Sequence, residues 1–244
     1  RLIYGYNTAV GEEKEARYLG ALKAFVDQWA DHELAAMALH QWAAVLHQKG
    51  DWARAHALAV RGVEAHRNSV GGRQCDNLRL MIEARRSAIE TEWVWNEPFP
   101  TLDVKYRNLT NVWFRAVRVE WSDFLDRRRN RPERLNERER KELLGRKADL
   151  AWSVALPPTT DFKERTERIA APETLASGFY FLIASHRSDF GETDNMVHFS
   201  DFWVSKLALI LRPTAGAIEG FVLEAASRSE ERRGGKECRS RWSA

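Results

Sequence analysis

Hydrophobic and polar positions along this chain follow two different periods. Up to about Thr91, apolar residues recur every three or four positions, the spacing that lines one face of an α-helix. Glu12 to Ala30 reads as a first helix, with Ala16, Leu19, Leu22, Phe25, Val26 and Trp29 along one face. His32 to Lys49 reads as a second and Ala53 to His66 as a third. A weaker fourth runs from Asp76 to Thr91, placing Leu78, Met81, Ile82 and Ile89 at helical spacing. Gly50-Asp51 separates the second from the third: glycine supplies a left-handed cap and aspartate caps the helix that follows.

After Thr91 the period becomes two. LDVKY puts Leu102, Val104 and Tyr106 on one face, and LAWSVAL does the same with Leu150, Trp152, Val154 and Leu156. VWFRAVRV, GFYFLIAS, VHFSDFWVS and KLALIL are β-branched and aromatic runs bounded by turn residues. With the run around Trp93 and Trp95 these make about seven strands, most without a helical crossover between them. The expected fold is therefore α+β with segregated halves: helical hairpins at residues 1–91, then a seven-stranded antiparallel β-sandwich at 92–212. In such a sandwich the Trp and Phe residues are core fill before they are ligand platforms.

Charge enters the picture through the last seventeen residues. RSEERRGGKECRSRWSA, Arg228 to Ala244, resembles the translation of a sequencing-library adapter, differing from it at Gly234 and Ala244. The stretch is set aside as non-biological, and the chain is expected to be a fragment of a longer reading frame. The tail holds six Lys/Arg and three Asp/Glu; without it, 32 basic residues face 32 acidic ones, so the formal charge of +3 belongs to the tail. The global argument for a nucleic-acid partner leaves with it. Cys238 leaves too, so Cys75 is the one remaining thiol and no internal disulfide forms. No apolar run approaches the ~20 residues that cross a bilayer.

Motifs for chemistry are absent from the sequence. His32-Glu33 opens like a zinc-protease motif, but Ala36 stands where the second histidine is needed and the next one is His40. His40 and His47 lie two turns apart, about 10 Å of rise, and read as surface histidines. Asp189, Glu192 and Asp194 sit in a Gly-containing turn too sparse in ligands for a calcium loop. No phosphate loop, nucleophile elbow or paired Cys-x-x-Cys occurs, so no catalytic, metal or cofactor residue is expected.

Two resemblances bear on organisation. Leu39, Trp42, Ala43 and Leu46, followed by Gly50, Trp52, Ala55 and Ala59, look like one tetratricopeptide-type hairpin, with an ordinary helical hairpin as the alternative. NEPF (Asn96 to Phe99), VKYRNLTNVWFR (Val104 to Arg115), LPPTTDFKERT (Leu156 to Thr166), LASGFYFLIAS (Leu175 to Ser185) and FWVSKLALI (Phe202 to Ile210) occur in the order found in the bacterial alpha-2-macroglobulin family. On these stretches the second half resembles a macroglobulin-type domain. The resemblance implies a non-catalytic scaffold piece of a large protease-trapping inhibitor of the bacterial cell envelope. Proteases would be met through other parts of the parent protein, neighbouring macroglobulin domains would be its contacts, and no cofactor would be needed. It also implies that 213–227, with Ala217 to Ala226 as a strand, opens the next domain. The thioester motif that many family members carry, Cys-Gly-Glu-Gln, has no counterpart, since Cys75 precedes Asp-Asn-Leu. The rival reading is an adaptor, with helical hairpins forming a peptide groove and the sandwich acting as an interaction module.

One segment breaks the charge balance. Asp126 to Lys147, DRRRNRPERLNERERKELLGRK, has ten Lys/Arg against five Asp/Glu. Pro132 suits a helix start, and Glu137–Lys141 and Glu142–Arg146 are i,i+4 pairs in the stabilising order. The preferred reading is a solvated helical insert; the sharper one is a polyanion or anionic-membrane contact through Arg127, Arg128 and Arg129. Charge reversal at these three arginines separates the readings in a liposome co-sedimentation assay. The insert reading expects unchanged binding to anionic vesicles, and the membrane reading expects its loss.

Overall fold

The period read before Thr91 becomes four helices in the computed structural model, in which residues 13–127, 134–214 and 217–224 are described. They are α1 (Lys14–Gln28), α2 (Leu34–Gln48), α3 (Trp52–His66) and α4 (Val70–Glu83). On α1 the buried line is Tyr18, Leu22 and Val26, flanked by Leu19 and Phe25, while Ala16 and Trp29 stay exposed. The face is turned from the one read in the sequence because Tyr18 enters the core. Between α2 and α3, Gly50 has φ of +79°, a conformation glycine takes without a Cβ clash. The Asp51 carboxylate then accepts a hydrogen bond from the Arg54 N–H at 3.2 Å, capping α3. Trp52 closes the end of the pair: its indole N–H donates to the His47 carbonyl (3.1 Å) and its ring stacks on the His47 imidazole. Ala35, Ala36, Ala43, Ala55 and Ala59 are fully or almost fully buried, and such small side chains let helices approach closely.

The fourth helix departs from expectation at both ends. It starts six residues earlier, because the Ser69 hydroxyl accepts from the Gly72 N–H at 2.9 Å and caps it. Gly71, a poor helix former, is where α4 meets the backbone of α2: a Cβ there would collide with Ala36 and Met37. The helix stops at Glu83 because its last carbonyls have partners from far along the chain. The Arg107 guanidinium donates to the Met81 and Ala84 carbonyls (3.2 and 3.3 Å), and the Asn108 amide donates to those of Ile82 and Ala84 (2.7 and 3.2 Å). Ile89, read as helical, lies in a strand instead.

Two compact units result. The helical unit contains the described residues up to Arg86 together with 106–109 and 157–165; the second contains the remaining described residues. The Thr159 hydroxyl accepts from the Asn108 N–H (2.8 Å), the Pro157 carbonyl accepts from the Tyr106 hydroxyl (2.8 Å), and Phe162 packs on His56 and on the helical core. Both returning segments are thus tied to each other and to the helices.

The second unit is built from strands. β1 (Arg86–Glu90), β3 (Thr101–Arg107) and β6 (Arg165–Ala170) make a three-stranded sheet in the order β1-β3-β6. β2 (Val94–Trp95), β8 (Val197–Val204), β7 (Gly178–Ser185), β4 (Asn111–Val119) and β5 (Leu150–Ala155) make a five-stranded sheet in that order. β9 (Leu207–Thr214) and β10 (Ala217–Glu224) pair separately as a ribbon. Every one of the seven runs expected within 92–212 forms a strand, and β6 adds an eighth there; β1 lies before that span, and β10 falls in the stretch read separately as a strand. β1 and β6 each carry few apolar residues among charged ones and left no clear alternation. The β2–β8 pair is parallel, so the unit is not wholly antiparallel.

β7 lies at the centre and is buried almost throughout. Tyr180 stacks on Phe202, which stacks on Trp95 at 3.9 Å. The alternate residues Phe179, Phe181 and Ile183 pack with two helices unlike anything in a plain sandwich, α5 (Trp121–Arg127) and α6 (Glu137–Gly145). Phe124 of α5 and Leu143 of α6 are buried in that cluster. The charged insert is therefore not simply solvated; one side of it covers the sheet. α6 begins after Asn136, whose side chain and that of Glu139 cap each other's backbone N–H groups. Pro132 lies outside the described residues.

Asn108 joins two roles, a left-handed φ of +58° and the amide that closes α4. Asn108→Gly keeps the first and loses the second; Asn108→Ala loses both. Urea unfolding followed at 222 nm is expected to show a loss of ~1–2 kcal/mol for the glycine variant. The alanine variant should lose about 1 kcal/mol more, the left-handed penalty of a Cβ. Equal losses would refute the double role.

Candidate functional site

The β9–β10 ribbon carries exposed large apolar residues at Leu207, Leu209, Ile210, Leu211, Phe221 and Val222. Its register pairs Leu207 with Glu224, Leu209 with Val222 and Leu211 with Gly220 on one face, and Ala208 with Leu223 and Ile210 with Phe221 on the other. Leu209 is 63% exposed, Leu211 59%, Ile210 50% and Phe221 42%. Apolar side chains therefore stand open on both faces, and no third strand pairs with either edge among the described residues. Uncovered apolar faces and free strand edges of this kind gain by the addition of a further strand or layer.

The residues singled out for chemistry are placed as follows. Arg127 ends α5, and Arg128 and Arg129 lie outside the described residues. Further along the same segment the cations are committed locally: Lys141 pairs with Glu137 (2.8 Å), Arg146 with Glu142 (2.7 Å), and Arg140 lies over the Phe199 ring. A cleft of about 250 Å³ opens beside α5 and α6, floored by Phe124, Leu143 and Phe181. Two of its charged rim residues, Arg146 and Glu142, are already paired with each other.

In the acidic turn, Asp189 is bound by both ends of the Arg187 guanidinium (3.0 and 2.6 Å) and accepts from the Gly191 N–H. Those contacts hold its carboxyl far below the ordinary carboxylate range. Its oxygens are thus engaged by the protein itself. Among the described residues no three His, Cys, Asp or Glu side chains are grouped to hold a metal ion. His32 accepts from the Leu34 N–H through Nδ1, a helix-start role rather than a ligand role. His40 and His47 are half-buried, not surface residues, and burial lowers the pKa of each. For His47 the positive Arg107 adds to this. Cys75 is fully buried against Ala36, and desolvation raises its thiol to about 11, so at neutral pH it is an inert thiol. No described helix is long and apolar enough to cross a membrane.

Sequence reading missed one polar pair. The Ser87 hydroxyl of β1 and Nε2 of His198 on β8 lie 2.9 Å apart, joining the three- and five-stranded sheets. A serine bonded to a histidine invites a nucleophile reading. Among the described residues no carboxylate is bonded to the second ring nitrogen, so the acid that would orient the imidazole is missing. Burial lowers the His198 pKa, against the bond to Ser87, which raises it. The pair fastens two sheets across 111 positions of sequence, a distance at which no local motif signals it.

Searches with family models match nothing in this chain, and no curated protein matches it. Among solved structures, similarity is found to native alpha-2-macroglobulin from Escherichia coli spanning domains MG0-NIE-MG1. Identity is 11%, TM-score 0.40, and the match covers 60% of this chain and 48% of that one. A second structure of the same protein, spanning NIE-MG1, matches at 11% identity and TM-score 0.37, covering 54% of this chain and 64% of its own. The chain thus spans about half of the longer fragment.

His40, His47 and His198 all hold a proton less readily when folded than the ordinary value of 6.5. From about pH 6.5 downward the unfolded chain binds more protons than the folded one, so stability falls as pH drops through that window. The melting temperature is expected to decrease between pH 7.5 and 5, and to decrease less in His198→Gln. An identical slope in that variant would remove His198 from the account.

Proposed function

We propose that this chain is a non-catalytic scaffold segment of a large bacterial alpha-2-macroglobulin-like protease-trapping protein of the cell envelope. In this reading the three- and five-stranded sheets are the two layers of a macroglobulin-type sandwich. The observation that carries it is the β9–β10 ribbon, whose leucines stand exposed on both faces as strands destined for a further domain would. The five family-like stretches support it by position. VKYRNLTNVWFR runs from β3 into β4, LASGFYFLIAS is centred on β7, and FWVSKLALI runs from β8 into β9.

The test is the parent chain. A version continuing through the sequence after Glu224 is expected to protect the β9–β10 amides from hydrogen exchange by at least tenfold relative to the present chain. The same parent, treated with a protease, should migrate faster on a native gel as its body closes. Continued fast exchange at β9–β10, together with no mobility change for any protease class, would overturn the reading.

A further inference from the structure

A groove in the helical unit sets an apolar floor beneath a cationic rim. Trp42 and Leu46 stand one turn apart on α2 with Lys49 capping its end, and Leu19 and Lys23 stand one turn apart on α1. Leu19, Trp42 and Leu46 form the floor; Lys23, Lys49 and Arg54 rise around it, with Asp51 the one carboxylate in the lining. Leu19 and Trp42 are held from below by the helical core, so the floor is supported. A Cβ at Gly20 would meet nothing within 4 Å, so the lining is open at that position. Its volume is about 420 Å³, in the range of pockets that take a ligand side chain.

The charges decide what suits it. Arg54 is paired with Asp51 at 3.3 Å, and Lys49 is paired with Glu15. Lys23 is exposed and has no ion pair among the described residues. With Glu15 counted, three cations face two carboxylates, and the local excess of one is Lys23. An excess of this kind beside an aromatic floor selects an anion attached to something apolar. We infer that this groove binds an acidic peptide segment, with one large apolar side chain on Trp42 and Leu46 and a flanking carboxylate at Lys23. A polyphosphate lacks the apolar anchor, and a neutral peptide leaves the rim unmatched. The inference goes beyond the scaffold reading and depends on no part of it.

The test uses fluorescence anisotropy with fluorescein-labelled Glu-Asp-Leu-Phe-Glu-Asp and the full chain. Two control peptides replace either the acids (Gln-Asn-Leu-Phe-Gln-Asn) or the apolar pair (Glu-Asp-Gly-Ser-Glu-Asp). Each control is expected to bind about fivefold more weakly, the size of one modest exposed interaction. Lys23→Glu, an exposed change whose fold is checked by circular dichroism, should weaken the first peptide at least fivefold, and Lys23→Arg should restore it. Rising salt should weaken binding as well. Equal binding of all three peptides, indifference to Lys23→Glu, or no binding at millimolar peptide would overturn the proposal. So would tighter binding of oligothymidylate or anionic vesicles competed by the peptide, or binding that appears only after residues 1–12 are removed.

Discussion

The helical unit depends on how α4 ends. A helix leaves its last carbonyls without partners, and these are buried ends where water offers little help. Arg107 and Asn108 meet the need together. Arg107 as a residue is only 6% exposed, and its positive charge lies where the helix dipole is negative. Burial and the nearby Arg86 both lower the Arg107 pKa, with Glu164 acting against them. Yet an arginine is charged at any pH the fold survives, so the cap does not titrate. The same guanidinium lies over the Trp52 ring at 5.0 Å, and Trp52 in turn stacks on His47. One cation thus links the end of α4 to the α2–α3 turn, and hydrogen bonds to charged groups of this sort contribute about 1.5–3 kcal/mol each.

The second unit has its own organising strand. β7 is paired on one side with β4 and on the other with β8, and its two faces carry different loads. Aromatic stacking through Tyr180, Phe202 and Trp95 runs along one. Along the other, Phe179 and Phe181 meet Trp121 and Phe124 of α5. A strand apolar on both faces cannot belong to a sheet with a wet side. The continuous apolar run GFYFLIAS already carried that information, although without saying that helices would be the cover.

Legibility tracked the range of the interactions. Gly50, Asp51 and Trp52 act within a few residues of one another, and their roles were readable from the order of letters. So was the alternation of Leu102, Val104 and Tyr106, all of which are fully buried. The Ser69 cap was equally local but was hidden by two glycines, which read as a loop until the close approach to Met37 explains Gly71. Arg107 was not readable in its role, since Met81 lies 26 positions away. Neither was the Ser87–His198 bond, nor the amphipathic character of an insert dominated by arginine and glutamate. Its two key apolar residues, Phe124 and Leu143, are separated by the charged run itself. Among the groove residues, the apolar ones were read as hairpin packing, and the meaning of Lys23 emerges only when α1 lies beside α2.

The path of the chain has a consequence for how this architecture can be inherited. Residues 106–109 and 157–165 belong with the helices although strands precede and follow each of them in sequence. A recombination event that copied only the first ninety codons into another gene would deliver a bundle stripped of its fastener. The helical unit therefore draws on codons that lie inside the strand half, however separable the two halves look in the alternation of their letters.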